Sequence, residues 1–207
     1  MGQMNKTPYL VLSAPLMVQT EVKRSKFLAY IAPTSGVAAA KAFVNEIKAL
    51  HPDANHNCSA YVANRPENSI EIGFSDDGEP SGCAGRPMLN VLQGSGIGEI
   101  TVVVTRYFGG TKLGTGGMAR AYGGAVTAVL AQAQTELKAV TEIVSFKSSY
   151  QWTNLVELLV AQYKAVIKTA DYGELIDYQV EIDARRITEF NREIFERSNG
   201  QIEVITD

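Results

Sequence analysis

The sequence predicts an α+β protein of two domains, residues 1–138 and 139–207. Three observations lead there. Short alternating or β-branched runs are interleaved with helical patterns, as an α+β layer fold requires. The element order starts afresh around residues 137–142. Two loops dense in turn and charged residues each lie between a strand pattern and a helix pattern.

Residues 1–7 read as a frayed end, and Tyr9–Leu12 and Leu16–Glu21 as short apolar runs parted by Ala14-Pro15. Three cations in 22–27 precede a strand over 28–32, the usual make-up of a solvated edge. A nucleic-acid contact is the functional alternative there. Ser35 or Thr34 is placed to cap a helix over 37–50, with Ala40, Phe43, Val44 and Ile47 spaced for one buried face. Strands follow over 58–63 and 70–74, joined by a turn. Next come a short helix over 87–94, a strand over 100–107 centred on Val102-Val103-Val104, and a helix from Met118 to about Gln134. Pro87 suits a first helical turn, where its missing N–H is no loss. These elements predict helices on one face of a mixed sheet.

The second domain reads as strand 142–151, helix 154–164, strand 166–171, strand 175–183, helix 186–198 and strand 201–206. That β-α-β-β-α-β order is the ferredoxin-like arrangement. Thr153 or Asn154 is placed to cap its first helix, with Leu155, Leu158, Leu159 and Tyr163 inward. Asn199-Gly200 ends its second helix.

Composition narrows the function classes. The 207 residues, 45% hydrophobic, suffice for one large or two small domains, each with its own core. Two cysteines and the absence of a long apolar run or signal pattern predict a cytoplasmic protein with no membrane partner. Cys58 and Cys83 read as two unpaired thiols, although both border the motif region and could meet. No Cys or His spacing suits zinc, so no metal site is expected. The net charge of −3 argues against general nucleic-acid binding. It divides into +2 for residues 1–138 and −5 for residues 139–207, so any cationic patch belongs to the first domain.

The chemistry sits in Ser75–Pro87 and Thr105–Gly123. The first loop carries Asp76, Asp77 and Glu79 before a helix start, with Arg86 after them. The carboxylates could bind Mg²⁺, act as acid and base, or form a solvated Asp-Gly turn. The second loop places Gly109, Gly110, Gly114, Gly116 and Gly117 between a strand and a helix N-terminus. With Arg106, Lys112 and Arg120 nearby, it is a candidate anion cradle. His56 is a candidate phosphate ligand or base, or a satisfied loop histidine. Tyr107 and Phe108 could stack on a base, one of them being core by strand alternation. Gly114-x-Gly116-x-x-Ala119 formally fits a dinucleotide fingerprint, but no ribose-binding acid follows and the loop is too long. No catalytic residue is assigned by spacing.

Asp76-Asp77-Gly78-Glu79-Pro80, Gly85-Arg86-Pro87, Arg106-Tyr107-Phe108-Gly109-Gly110 and Leu113-Gly114-Thr115-Gly116-Gly117, in this order, resemble the YigZ/IMPACT family. His56-Asn57-Cys58-Ser59-Ala60-Tyr61 is similar too. Cys83 stands where the family pattern leads one to expect Thr. The resemblance implies a first domain similar to the second domain of a small-subunit ribosomal protein, a fold also found in domain IV of elongation factor G. It implies a second domain similar to the last domain of that factor, and a regulatory role in translation. Fold alone does not fix function. The expected activity is binding of RNA, a ribosome-associated partner or a phosphate-containing ligand, without a cofactor. One alternative is a Mg²⁺-dependent hydrolase or phosphoryl-transfer enzyme, with the 76–79 carboxylates holding the metal. A second is a pure protein-interaction module.

Overall fold

The computed structural model describes residues 6–205. The expectation of a frayed end over residues 1–7 falls, for residues 1–5, outside the described residues. The chain forms two compact units, Tyr9–Lys138 and a second from Ala139 onward. Residues 6–8 group with the second unit, where Lys6 reaches the Ala184 carbonyl and the Glu142 carboxylate.

The first unit runs β1 (Tyr9–Leu12), β2 (Leu16–Val22), β3 (Ser25–Pro33), α1 (Gly36–Leu50), β4 (His56–Val62), β5 (Ile72–Ser75), α2 (Gly85–Gly94), β6 (Ile100–Tyr107), α3 (Thr115–Leu130) and β7 (Thr135–Lys138). Five strands form one sheet in the order β2-β3-β6-β4-β5, with every neighbouring pair antiparallel. This corrects the expected mixed sheet. Strands β3 and β4, joined through α1, are parallel to one another, but β6 lies between them and runs against both.

The helices are not all on one face, a second correction. Ile100, Val102 and Val104 of β6 join the cluster formed with Met88, Leu89 and Leu92 of α2 and with Tyr122, Val126 and Val129 of α3. Thr101, Val103 and Thr105 alternate to the opposite side and are equally buried, beneath α1, which packs on β6 and β4. An uninterrupted Val-Val-Val run fits a strand covered on both faces. Each large apolar side chain so buried contributes roughly 1.5–3 kcal/mol.

Several local expectations change. The Ser35 hydroxyl donates to Glu99 at 3.1 Å instead of capping α1. Helix α2 begins at Gly85 and α3 at Thr115, each earlier than the apolar periodicity indicates, and α3 stops at Leu130. Residues 135–138, exposed throughout, form β7, which pairs antiparallel with β1 from Tyr9↔Lys138 to Leu12↔Thr135.

The second unit runs β8 (Thr141–Ser148), α4 (Thr153–Gln162), β9 (Val166–Tyr172), β10 (Ile176–Asp183) and α5 (Ile187–Arg197), with sheet order β8-β10-β9. The strand expected over 201–206 reduces, among the described residues, to an antiparallel bridge between Ile205 and Ser145. The core stacks Phe146 on Tyr178 and sets Tyr163 edge-on to Phe190. Leu158 faces solvent, and Val156 and Val160 pack inward with Leu159. The Thr153 hydroxyl donates to the Tyr150 carbonyl at 2.9 Å and caps nothing. Asn199 and Gly200, both at positive φ, end α5.

Candidate functional site

The loop after β5 turns back through Asp77 and Gly78, both at positive φ, the left-handed backbone that Asp tolerates and Gly favours. Its three carboxylates take three different partners. Asp76 accepts backbone N–H bonds from Gly82, Ala84 and Gly85 at 2.8–3.0 Å, tying down the start of α2. Burial opposes ionisation of Asp76, but those three donors hold its carboxyl below the usual carboxylate value. Asp77 pairs with Lys48 of α1 and accepts from the Asn57 N–H at 2.7 Å. Against the cost of burial, Lys48, the Asn57 N–H and His56 likewise keep the Asp77 carboxyl low.

Glu79 turns inward. Its side chain is 3% exposed and pairs with the Arg106 guanidinium, while the Tyr122 hydroxyl donates to the same oxygen at 2.8 Å. Arg106 Nη1 also approaches Met118 Sδ at 3.6 Å. Arg106 Nε is buried and has no hydrogen-bond partner. Burial, then Cys58 and Glu79, push the Tyr122 hydroxyl far up, so it remains a donor. Burial likewise pushes the Cys58 thiol up to about 12, and Cys58 Sγ donates to the Asp76 carbonyl at 3.0 Å. A thiol so held is no nucleophile. His56 Nδ1 lies 2.8 Å from the Asp77 carbonyl. A carbonyl only accepts, so Nδ1 carries the proton and Nε2 is left on the side of Glu79 Oε2, 3.9 Å away.

The glycine loop is shaped by contact as well as by torsion. A Cβ on Gly109 would lie 2.0 Å from the Arg24 carbonyl carbon, so the loop rests directly on the β2–β3 turn. The Gly109 N–H donates to Ser25 Oγ and the Phe108 N–H to Asn55 Oδ1. Gly110 and Gly114 have positive φ. Gly114 sits at the N-cap of α3 and provides no side-chain cap. Gly116, inside the first turn of α3, has no such constraint: an added Cβ would meet only the Arg120 side chain at 3.8 Å.

Both loops meet at a cavity of about 360 Å³. Glu79 and Pro80 form one wall, Lys112, Leu113, Gly114 and Thr115 another, and Asn55, His56, Arg106, Phe108 and Met118 complete the lining. Of the sequence candidates, His56, Glu79, Arg106, Lys112 and Gly114 are brought together here. Asp76, Asp77, Arg86, Gly109, Gly110, Gly116, Gly117 and Arg120 are not in the lining. Arg86 lies over the Phe74 ring at 4.6 Å, and Arg120 lines a separate recess with Lys23. The carboxylates do not converge, and among the described residues no group of three or more His, Cys, Asp or Glu side chains is placed to hold a metal ion. Cys83 is buried in the core and does not line the cavity; both thiols are free. Asn55, Met118 and Tyr122 escape sequence reasoning, because a loop amide and two helix-face residues carry no local signal of a cavity.

Comparison with known proteins identifies the family. Residues 23–130, containing both loops, match the model of the Impact N-terminal domain, and residues 147–201 match a domain of unknown function, DUF1949. The chain is 43% identical over 197 residues to the IMPACT family member YigZ of Escherichia coli (strain K12), covering 95% of this chain and 97% of that protein. A solved structure titled as that of an hypothetical protein superposes with a TM-score of 0.80 at 42% identity, covering 97% of this chain and 98% of that one. Over 95 residues, 44% of this chain and 30% of the other, it is 34% identical to the Protein IMPACT of Xenopus laevis. With both family models matched in order and the likeness to YigZ spanning nearly the whole of both chains, this chain belongs to the IMPACT family.

Proposed function

We propose that the first unit is a binding module that takes a phosphate group of its ligand at the first turn of α3. One observation carries this reading. Thr115, the first residue of that uncapped turn, lines the cavity beside Gly114 and Lys112, and so does Arg106, whose buried Nε has no hydrogen-bond partner. A helix N-terminus holds roughly half a positive charge, and an unpartnered guanidinium N–H is a further donor. Arg106 itself is neutralised by Glu79, so it orients a ligand more than it attracts one.

The setting that fits is cytoplasmic and linked to translation, with RNA or a ribosome-associated partner carrying the phosphate. Its support is the family and the shared name with eukaryotic IMPACT. The analogy of the first unit to a ribosomal-protein domain and to domain IV of elongation factor G belongs to the same reading. For the second unit, the order β8-β10-β9 with Ile205 bridging outside β8 supports a ferredoxin-like fold.

Titration of inorganic phosphate and a short RNA by calorimetry tests the reading. Lys112→Ala should weaken both and lower the salt slope for the RNA by about 1. Unchanged affinity for both ligands would reject the site. Arg106→Ala is a poor probe, since it would strand Glu79 in the core.

A further inference from the structure

A second cavity, of about 410 Å³, adjoins the first through Phe108. Its lining includes Arg24, Lys26, His51 and Tyr107, and no carboxylate. Lys26 and Tyr107 are register partners on β3 and β6 and alternate to the side opposite Phe27 and Arg106. The two cavities therefore open on opposite faces of the sheet end, and Phe108, 48% exposed, stands on the rim between them.

The cations here are unengaged. Among the described residues, Lys23, Arg24, Lys26 and Lys112 form no ion pair, whereas Lys48, Arg106 and Lys138 of the same unit are paired. Glu21 is the register partner of Lys26, yet it does not close on it. Lys23 and Arg24 occupy the two turn positions of the β2–β3 hairpin at φ 47° and 66°. Such turns favour Asn-Gly, and two cations there are held at a conformational cost. The glycine loop packs on that turn, so these cations and the α3 N-terminus are carried by one rigid corner.

The aromatic wall is fixed as well. His51 sits between the Tyr30 hydroxyl, 2.7 Å from Nε2, and the Tyr107 hydroxyl, 2.9 Å from Nδ1. The Tyr107 ring stands edge-on to the imidazole at 6.0 Å. Phe108 is anchored through its N–H to Asn55. Fixed, half-exposed rings beside unpaired cations are the features with which proteins hold single-stranded nucleic acid: bases stack while the backbone follows the positive groove.

We infer that this corner binds single-stranded nucleic acid, the chain crossing Phe108 with one phosphate at α3 and the next base and phosphate in the second cavity. The inference rests on the phosphate site proposed above for the first cavity. It adds that inorganic phosphate reproduces only half of the contact.

Fluorescence anisotropy with a labelled ten-nucleotide oligouridylate, alongside calorimetry with inorganic phosphate, separates the two. The oligonucleotide should bind at least tenfold more tightly than phosphate at low salt. Arg24→Glu with Lys26→Glu should cut oligonucleotide affinity by tenfold or more and leave phosphate affinity unchanged. Phe108→Ala should lower oligonucleotide affinity roughly fivefold or more, the range for losing one stacked base. Phe108→Tyr retains the ring and should restore it. All three side chains lie at the surface, and a circular-dichroism melt verifies folding. Oligonucleotide affinity unmoved by both the double variant and Phe108→Ala would overturn the inference while the phosphate site stands. Failure of phosphate and oligonucleotide alike to bind would overturn both. Loss in the double variant with no effect of Lys112→Ala would overturn the path through the first cavity, and with it the phosphate site at α3.

Discussion

The two loops that frame the first cavity handle charge in opposite ways. In the acidic loop every carboxylate is engaged within the molecule: Asp76 with the start of α2, Asp77 with Lys48, and Glu79 with Arg106 and Tyr122. In the glycine loop and the hairpin beneath it, the cations and first-turn N–H groups have no such partners. A run of three acids is therefore scaffolding here, and a run of glycines is the open surface. Residue type alone suggests the reverse, since carboxylates look like chemistry and glycines look like turns. What separates them is direction: the acids point back into the fold, and Gly110, Gly114 and Gly116 lie exposed.

The sharpest break of this contrast is Glu79→Gln. It leaves the Arg106 guanidinium buried without its counter-charge, a loss of about 3–5 kcal/mol. Urea denaturation should record it, while Lys112→Ala on the other loop should stay within about 0.5 kcal/mol of the parent. Equal, small effects would mean that the acidic loop is not a structural element.

Asp76→Asn should cost less, about 1–2 kcal/mol, because an amide oxygen still accepts but without the charge. The sign with pH follows from the shift. The Asp76 and Asp77 carboxyls are held below 3.8 in the fold. Their stabilisation is complete above that value and disappears as pH falls through the lower folded values. The parent should therefore lose stability below pH 4, and Asp76→Asn should flatten that acid limb. Thermal melts between pH 2.5 and pH 6 would check it, and an unflattened limb would count against the three N–H bonds.

The smallest change sharpens the other side. Gly116→Ala has room for its methyl group and lies in a helix, so it should stabilise the protein by roughly 0.5–1 kcal/mol. If the glycine keeps backbone N–H groups accessible to a phosphate, the same variant should bind phosphate several-fold more weakly. Gain of stability with unchanged binding would show Gly116 to be incidental to the site.

Much of this was legible in the sequence. Strand β6 and, in the second unit, β9, β10 and α5 follow period and apolar content closely. The sheet's direction was not legible, because nothing local in β6 says that it inserts between β3 and β4. Strand β7, Thr-Glu-Leu-Lys and fully exposed, has no buried face to imprint a period. The starts of α2 and α3 lie at Gly85 and at Thr115-Gly116-Gly117, poor helix formers that carry no apolar period. Within the site, residue types were readable and partners were not. Glu79 and Asp77 are two positions apart, yet one lies in the core and the other at its edge. His51 and Arg24, at the second cavity, sit in segments that resemble an ordinary loop and an ordinary solvated edge.

The β1–β7 ribbon gives the first unit a mechanical property. It pairs the residues where the unit begins and ends, Tyr9 with Lys138 at its open end. Tension applied to those two residues meets the ribbon's hydrogen bonds one after another, as a zipper is opened, and not all together in shear. The ribbon should part at low force, together with the bonds that tie both loaded residues to Glu99, from the Tyr9 hydroxyl and the Lys138 ammonium, and the bridge from Leu10 to Ile97.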